Sequence, residues 1–354
     1  SAAAVLFSCL PKGKMPYLIV ANDLDEAGYI YFDLCQIAGD SHVLIFPSGY
    51  KRDIKYGQVD APSEILRTEV LNKWHSDANV RWVVTYPEAL AERVSPREKV
   101  ESSTISLKKG GSADLVEIEK QLRAFGFNEQ DYVYEPGQFA VRGSILDVYS
   151  YSNELPYRID FFGDEIESIR TFNVETQLSE SETDTVSIIN GMATENANGI
   201  SLLEYIGSDA TIVCHDKDWL LQRIKAISEE TLSESTVIAD EGDRDAMKKV
   251  VDFIDFTTRM SAMRRIDFHY GRSQADCDAR LSFDLSPQAI YHKNFDLISD
   301  SFHDFIGKGF TIYILSDSAK QIERLKAIFE DRADDIAFTP VSKTIHEGFV
   351  DNEL

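Results

Sequence analysis

No glycine-rich phosphate loop of the form G-x-x-x-x-G-K-[ST] occurs in the 354 residues. The backbone N–H cradle, the lysine and the Mg²⁺-binding hydroxyl that a P-loop nucleotidase needs are therefore missing. The nearest stretch, Gly13-Lys14, runs on into Met15, and Ser8 stands where the first glycine belongs. Cysteine is scarce. Cys9, Cys35, Cys214 and Cys277 lie far apart with no C-x-x-C spacing, which opposes a zinc ribbon or a dithiol redox motif and predicts buried free thiols in a reducing cytoplasm. The seven histidines show no H-x-x-x-H grouping, so no metal is assigned. No apolar run approaches the roughly 20 residues of a membrane helix. Positive charge is also short: 36 Lys and Arg stand against 60 Asp and Glu, a net charge of −24. A surface of that sign repels a polyanion, which opposes direct nucleic-acid binding and favours protein partners. No Ser/His/Asp, Cys/His or paired-carboxylate constellation can be assembled from spacing, so no catalytic residue is named.

What is present is an ordinary globular composition, 43% apolar and 27% charged, with chain enough for two or three domains. Ala2 to Leu10 reads as a helix rather than a signal peptide, since it lacks a basic leader. With no initiator Met before it, the chain is expected to be a fragment. Tyr17–Ala21, His42–Phe46 and Val80–Val84 read as buried strands. Between them run helices, one opened by the capping-box spacing of Asp23 and Glu26 and closed by Gly39, another starting at Pro62-Ser63. Thr85-Tyr86-Pro87-Glu88 again has capping-box spacing. Asp114 to Gly126 predicts a helix with Leu115, Ile118, Leu122 and Phe125 on one side. The β/α alternation returns from Ile200, with strands at Thr211–Cys214 and Phe310–Leu315, helices at Trp219–Ile227 and Ala319–Glu330, and helix from Met247 to Arg265. The pattern predicts an α/β fold: a doubly wound parallel-sheet domain split by an inserted small β-rich α+β domain. The expected boundaries are 1–112 for the first half, 113–192 for the insertion and 193–354 for the second half. Lys108-Lys109 and Arg259–Arg265 are the basic clusters, each explained by a solvated face.

The insertion carries the informative stretch, Tyr132 to Gln177. Pro136-Gly137 is turn chemistry, Phe139 to Tyr149 is rich in strand formers, and Gly163-Asp164 is a two-residue hairpin signal. Ser179 to Asp184 reads as a polar, acidic loop and Val186 to Ile189 as a closing strand. Side chains alternate across a strand, so Tyr157, Ile159 and Phe161 share one face and Arg158, Asp160 and Phe162 the other. Arg142 points away from the side of Phe139 and Val141 and can join Arg158 and Phe162. An aromatic ring flanked by arginines has the composition of a protein-interface anchor. A second account stays open at this point: the ring is packed under a loop, and the arginines pair with cross-strand carboxylates such as Asp160 or Glu165.

The run Tyr134-Glu135-Pro136-Gly137-Gln138-Phe139-Ala140-Val141-Arg142-Gly143, with Ile145-Leu146-Asp147, Pro156 to Glu165 and Ser168 to Phe172, resembles the N-terminal UvrB-like module of the bacterial transcription-repair coupling factors. The resemblance implies a degenerate P-loop NTPase-like fold without nucleotide binding. His215-Asp216 stands where the UvrB pattern has paired acids, and Asp216 alone is a remnant. The resemblance further implies a non-catalytic module that docks UvrA through Arg142, Arg158 and Phe162, with no cofactor in this portion. ATP and Mg²⁺ would act in motor domains elsewhere in an ATP-driven DNA translocase. RNA polymerase and DNA would be met by other domains, and a C-terminal domain would contact the same surface within the protein. The alternative is a UvrB-like helicase or ATPase fragment that binds damaged DNA directly. A second rival is an inert scaffold in which Arg142 and Arg158 make only intramolecular salt bridges.

Overall fold

The structure, a computed structural model, describes residues 1–49, 60–151, 153, 155–189, 199–237, 250–269 and 277–353. It divides into two units, one made of Gly13–Ala27 and Leu44–His269 and the other of Ser1–Lys12, Gly28–Val43 and Tyr270–Leu354. In chain order the strands of the first are β1 (Tyr17–Val20), β2 (Val43–Ile45), β3 (Trp82–Thr85), β4 (Arg93–Val94) and β5 (Thr104–Lys108). The next are β6 (Asn128–Glu129), β7 (Gln138–Arg142), β8 (Ile145–Val148), β9 (Tyr157–Phe162) and β10 (Glu165–Phe172). Last come β11 (Ser179–Glu182), β12 (Thr185–Ile189), β13 (Ile200–Ser201), β14 (Thr211–Cys214) and β15 (Arg264–Asp267).

A five-stranded sheet has the order β15-β14-β1-β3-β2, with β1 parallel to both β3 and β14, and β14 parallel to β15. All four residues of β1 and of β3 are buried, as expected of parallel strands covered on both faces. Asp23 receives the Glu26 N–H at 2.9 Å, and Glu26 returns a bond to the N–H of Asn22 at 2.7 Å. Gly39, at φ +98°, closes that helix. The expected box at Thr85 does not form. Thr85 is the last residue of β3, and its hydroxyl donates to the Phe46 carbonyl at 2.9 Å instead.

Between β3 and β14 in the chain lies a β domain. Its six-stranded sheet runs β11-β10-β9-β8-β7-β6, and β5 and β12 form a separate antiparallel pair. Phe139, Leu146, Val148, Ile159, Phe161, Ile166 and Ile169 pack with Ile118 and Leu122 of the helix Leu115–Ala124 and with Ile105, Leu107, Val186 and Ile188. Burial of each such side chain is worth about 1.5–3 kcal/mol, which makes this the cohesive core of the domain. Asp114 caps the helix by accepting from the N–H groups of Val116 and Glu117. Ile105 and Leu107 of β5 also belong to this core. The expected acidic loop at Ser179–Asp184 is instead an edge strand, β11, paired with β10 and exposed throughout.

The expected helix from Met247 to Arg265 is shorter. It spans Phe253–Ala262, Arg264 and Arg265 lie in β15, and 247–249 fall outside the described residues. The basic cluster is consumed locally: Arg259 pairs with Asp255 and Glu204, and Arg265 with Asp267. Among the described residues after β15, no strand joins the five-stranded sheet. β16 (Leu285–Pro287), β17 (Tyr313–Leu315), β18 (Thr339–Val341) and β19 (Phe349–Asp351) pair only among themselves, β16 with β19 and β17 with β18. The chain from Leu44 through His269 belongs to the first unit and from Tyr270 on to the second. In the second unit, Phe329 of the helix Ala319–Asp331 is buried against Phe302 and Phe338. Buried Asp33 receives the backbone N–H of His346 at 2.6 Å.

Under the parallel sheet, Arg67 and Glu92 form a buried ion pair at 2.9 Å. Glu92 also receives the Ser48 hydroxyl and the Gly49 N–H, while Arg67 donates to the Pro47 carbonyl. Burial pushes the Glu92 carboxyl up, and the Arg67 charge and these hydrogen bonds oppose the rise. Removing one partner leaves the other charge stranded. Arg67→Ala is expected to cost about 3–5 kcal/mol, read as a lower urea midpoint by far-UV circular dichroism.

Candidate functional site

The register of the β domain decides which side chains meet. Directly opposed residues share a face, and the pairs are Ala140 with Asp147, Arg142 with Ile145, Asp147 with Arg158, and Arg158 with Arg170. Leu146 with Ile159 and Phe139 with Val148 occupy the core face. Arg142, Asp147, Arg158, Asp160 and Phe162 thus line the opposite face, as strand alternation predicts for four of them. Two-residue turns hold the geometry, with Gly143 (φ +65°) between β7 and β8 and Gly163 (φ +63°) between β9 and β10. Both turns need the left-handed region that glycine enters without strain.

Phe162 stands out at 79% exposure, whereas its neighbour Phe161 is 4% exposed. The ring is not covered by its own domain. The arginines are more constrained. Asp147 has no exposed surface, and Arg158 grips it side-on with one edge of its guanidinium, Nε to Oδ1 at 2.7 Å and Nη2 to Oδ2 at 2.8 Å. Arg142 donates through Nη2 to the same Oδ2 and through Nη1 to the Asp131 carbonyl at 3.0 Å. The carboxylate bond drives the Arg158 guanidinium further up from its already high value, so its charge is permanent. Arg158 also donates to the Gln177 carbonyl at 3.1 Å and lies 4.6 Å over the Phe172 ring. Phe172 in turn packs with Val133 and Ala140 in a small satellite core. The Arg142 side chain is 36% exposed and that of Arg158 16%. Arg142 lies 5.1 Å over Tyr132, in an open groove lined also by Glu129, Gln130 and Val141.

The cross-strand carboxylate is therefore Asp147, not Asp160 or Glu165; Asp160 binds Arg170 and the Ser168 hydroxyl. A guanidinium has five N–H groups, and Arg158 spends three of them within the domain. One N–H on Nη1 and one on Nη2 are left for a partner while the Asp147 pair stays intact.

A second position of interest lies at the carboxyl ends of β1 and β14, where open α/β sheets hold ligands. The phosphate-loop position is the turn Ala21-Asn22-Asp23 between β1 and the helix Leu24–Ala38; Gly13-Lys14 precede β1. Asp23 occupies the cap, and Asp25 and Glu26 fill the first turn. Glu26 meets His215 Nε2 at 2.7 Å. Burial raises the Glu26 carboxyl, but the hydrogen bonds from His215 and Asn22 outweigh it and hold the group below its ordinary value. Asp216 is spent on capping, accepting the Trp219 N–H at 2.8 Å. Acids at a helix N-terminus place negative charge where a phosphate would have to sit. Among the described residues no three His, Cys, Asp or Glu side chains are grouped to hold a metal ion. Cys35 and Cys214 are buried free thiols as expected, but Cys9 and Cys277 are exposed.

Residues 105–192 match the family model of the UvrB interaction domain. Over 175 residues, 49% of the chain, it is 26% identical to the transcription-repair-coupling factor of Escherichia coli strain K12. It is 28% identical over 180 residues, 51% of the chain, to that of Bacillus subtilis strain 168. It is 30% identical over 148 residues, 42% of the chain, to that of Haemophilus influenzae. The matched stretch spans only 13 to 15% of these relatives' length.

Two outcomes follow from the geometry. Phe162→Ala should change stability by no more than about 0.5 kcal/mol, whereas Phe161→Ala should cost about 3–5 kcal/mol, both read in thermal melts. The depressed Glu26 carboxyl contributes stability above its ordinary value of 4.5 that is lost as pH falls below it. Wild type and Glu26→Gln should therefore converge in melting temperature on acidification through that range.

Proposed function

We propose that this chain is the UvrA-docking portion of a transcription-repair coupling factor, and that Phe162, Arg142 and Arg158 form its contact with UvrA. The observation that carries this reading is the 79% exposed Phe162 on the arginine-bearing face of a UvrB interaction domain. In isolation such a ring costs free energy of hydration; against a partner it becomes a desolvated anchor. Arg142, the more exposed arginine, supplies charge-assisted hydrogen bonds to a carboxylate of UvrA, while Arg158 offers its remaining N–H groups and fixes the face beneath.

The whole protein, in this reading, is an ATP-dependent DNA translocase of the cytoplasm that acts on stalled RNA polymerase and hands the lesion to nucleotide excision repair. Polymerase, DNA, ATP and Mg²⁺ are met in its other domains, and its C-terminal part covers the UvrA face at rest. The portion described here is non-catalytic. The acidic turn after β1 and the net charge of −24 support this over an ATPase fragment that binds damaged DNA.

The test is calorimetric titration of UvrA into the chain. Phe162→Ala should lose about 2 kcal/mol of binding, roughly thirtyfold in affinity, with an unchanged melt. Arg142→Ala should also weaken binding. Undiminished affinity in both variants contradicts the assignment. Millimolar ATP should leave the melting temperature where it is; a rise would favour the ATPase alternative.

A further inference from the structure

The two arginines assigned to the contact are not independent, because one buried group holds both. Asp147 sits opposite Arg158 on the neighbouring strand, has no exposed surface, and accepts N–H groups from Arg158 twice and from Arg142 once. Neither arginine has another carboxylate within ion-pair distance among the described residues. Their remaining bonds go to the carbonyls of Asp131 and Gln177, at the two loops that flank this half of the face.

We infer that Asp147 is the positioning residue of the docking face: it fixes both guanidiniums in the plane from which they meet the partner, and it couples them into one unit. The inference rests on the proposed UvrA contact and deepens it by naming a residue that touches no partner.

The chemistry explains why a carboxylate is needed at this position. An arginine on a strand has four rotatable side-chain bonds, and ordering it only on binding costs conformational entropy that lowers affinity. A fork-to-carboxylate pair settles that cost during folding, since the guanidinium is planar and the two parallel N–H groups of its Nε/Nη2 edge match the two oxygens. A neutral amide cannot replace it. An asparagine side chain at this position would offer one oxygen and one NH₂, and the NH₂ would face an arginine N–H. Burial at 0% exposure leaves no water to substitute for the lost acceptor. Tyr132 adds to the seat, with the Arg142 guanidinium 5.1 Å over its ring.

The acting mechanism sets the form of the test, which is a double-mutant cycle for UvrA binding with Asp147→Asn, Arg158→Ala and the double variant. Asp147→Asn alone should weaken UvrA binding at least about tenfold, the scale of a hydrogen bond to a charged group. In the Arg158→Ala background the same substitution should have a smaller effect, since half of what it positions is gone. The contribution of Phe162 should survive in Asp147→Asn, so that adding Phe162→Ala weakens binding further. A side-chain readout accompanies binding: the Arg158 Nε–H resonance, slow to exchange in the wild type, should exchange rapidly in Asp147→Asn. Should that variant melt below the assay temperature, Asp147→Glu, which keeps the charge and displaces the carboxylate by one methylene, carries the same expectations.

Wild-type affinity in Asp147→Asn, or equal losses from Asp147→Asn with and without Arg158, would overturn the inference while leaving the UvrA contact standing. Failure of the wild-type chain to bind UvrA would instead remove the reading on which both rest.

Discussion

A carboxylate with no exposed surface must be paired, and Asp147 is paired with two arginines at once. That single constraint organises the outer face of the β domain. It fixes the register of β8 against β9, since a slip of one residue would turn Asp147 into the apolar core and Leu146 out of it. It also draws in the loops that supply Asp131 and Gln177, closing one half of the face. The half toward Gly163 stays open, and there Phe162 projects with no cover from its own domain. The apolar core on the other side, centred on Phe139, Leu146, Ile159 and Phe161, gives this polar arrangement a rigid floor.

The larger sheet answers a different question. Its strand order leaves carboxyl ends of parallel strands where α/β proteins hold nucleotides, but the turn after β1 presents Asp23, Asp25 and Glu26 in place of glycine and lysine. A His215 to Glu26 hydrogen bond links that turn to the residue that follows β14. The overall charge of −24 points the same way, toward proteins and away from phosphates.

Much of this was legible in the sequence where a period or a turn spoke. The alternation from Tyr157 to Phe162 separated core from surface correctly, and Gly163-Asp164 marked the hairpin. The buried strands Tyr17–Val20 and Thr211–Cys214 were visible as short apolar runs. What escaped was whatever depended on pairing between distant segments. Asp147 read as one more strand residue, because its partners are set by inter-strand register, which no local pattern encodes. The Ser-Glu-Ser-Glu of β11 carries a loop composition; it is a strand because β10 offers an edge and because solvent covers both its faces. Arg264 and Arg265 looked helical by continuity, but β14 recruits them into the sheet. Thr85 and Glu88 had capping spacing, and tertiary context gave the hydroxyl a carbonyl instead.

In the proposed contact the face bearing Phe162 meets UvrA. Photo-crosslinking measures it most directly, with benzoylphenylalanine placed either at 162 or at 116, an exposed position on the helix that covers the opposite, apolar face. A UvrA adduct is expected from position 162 and none from position 116. An adduct from 116 with none from 162 would contradict the claim.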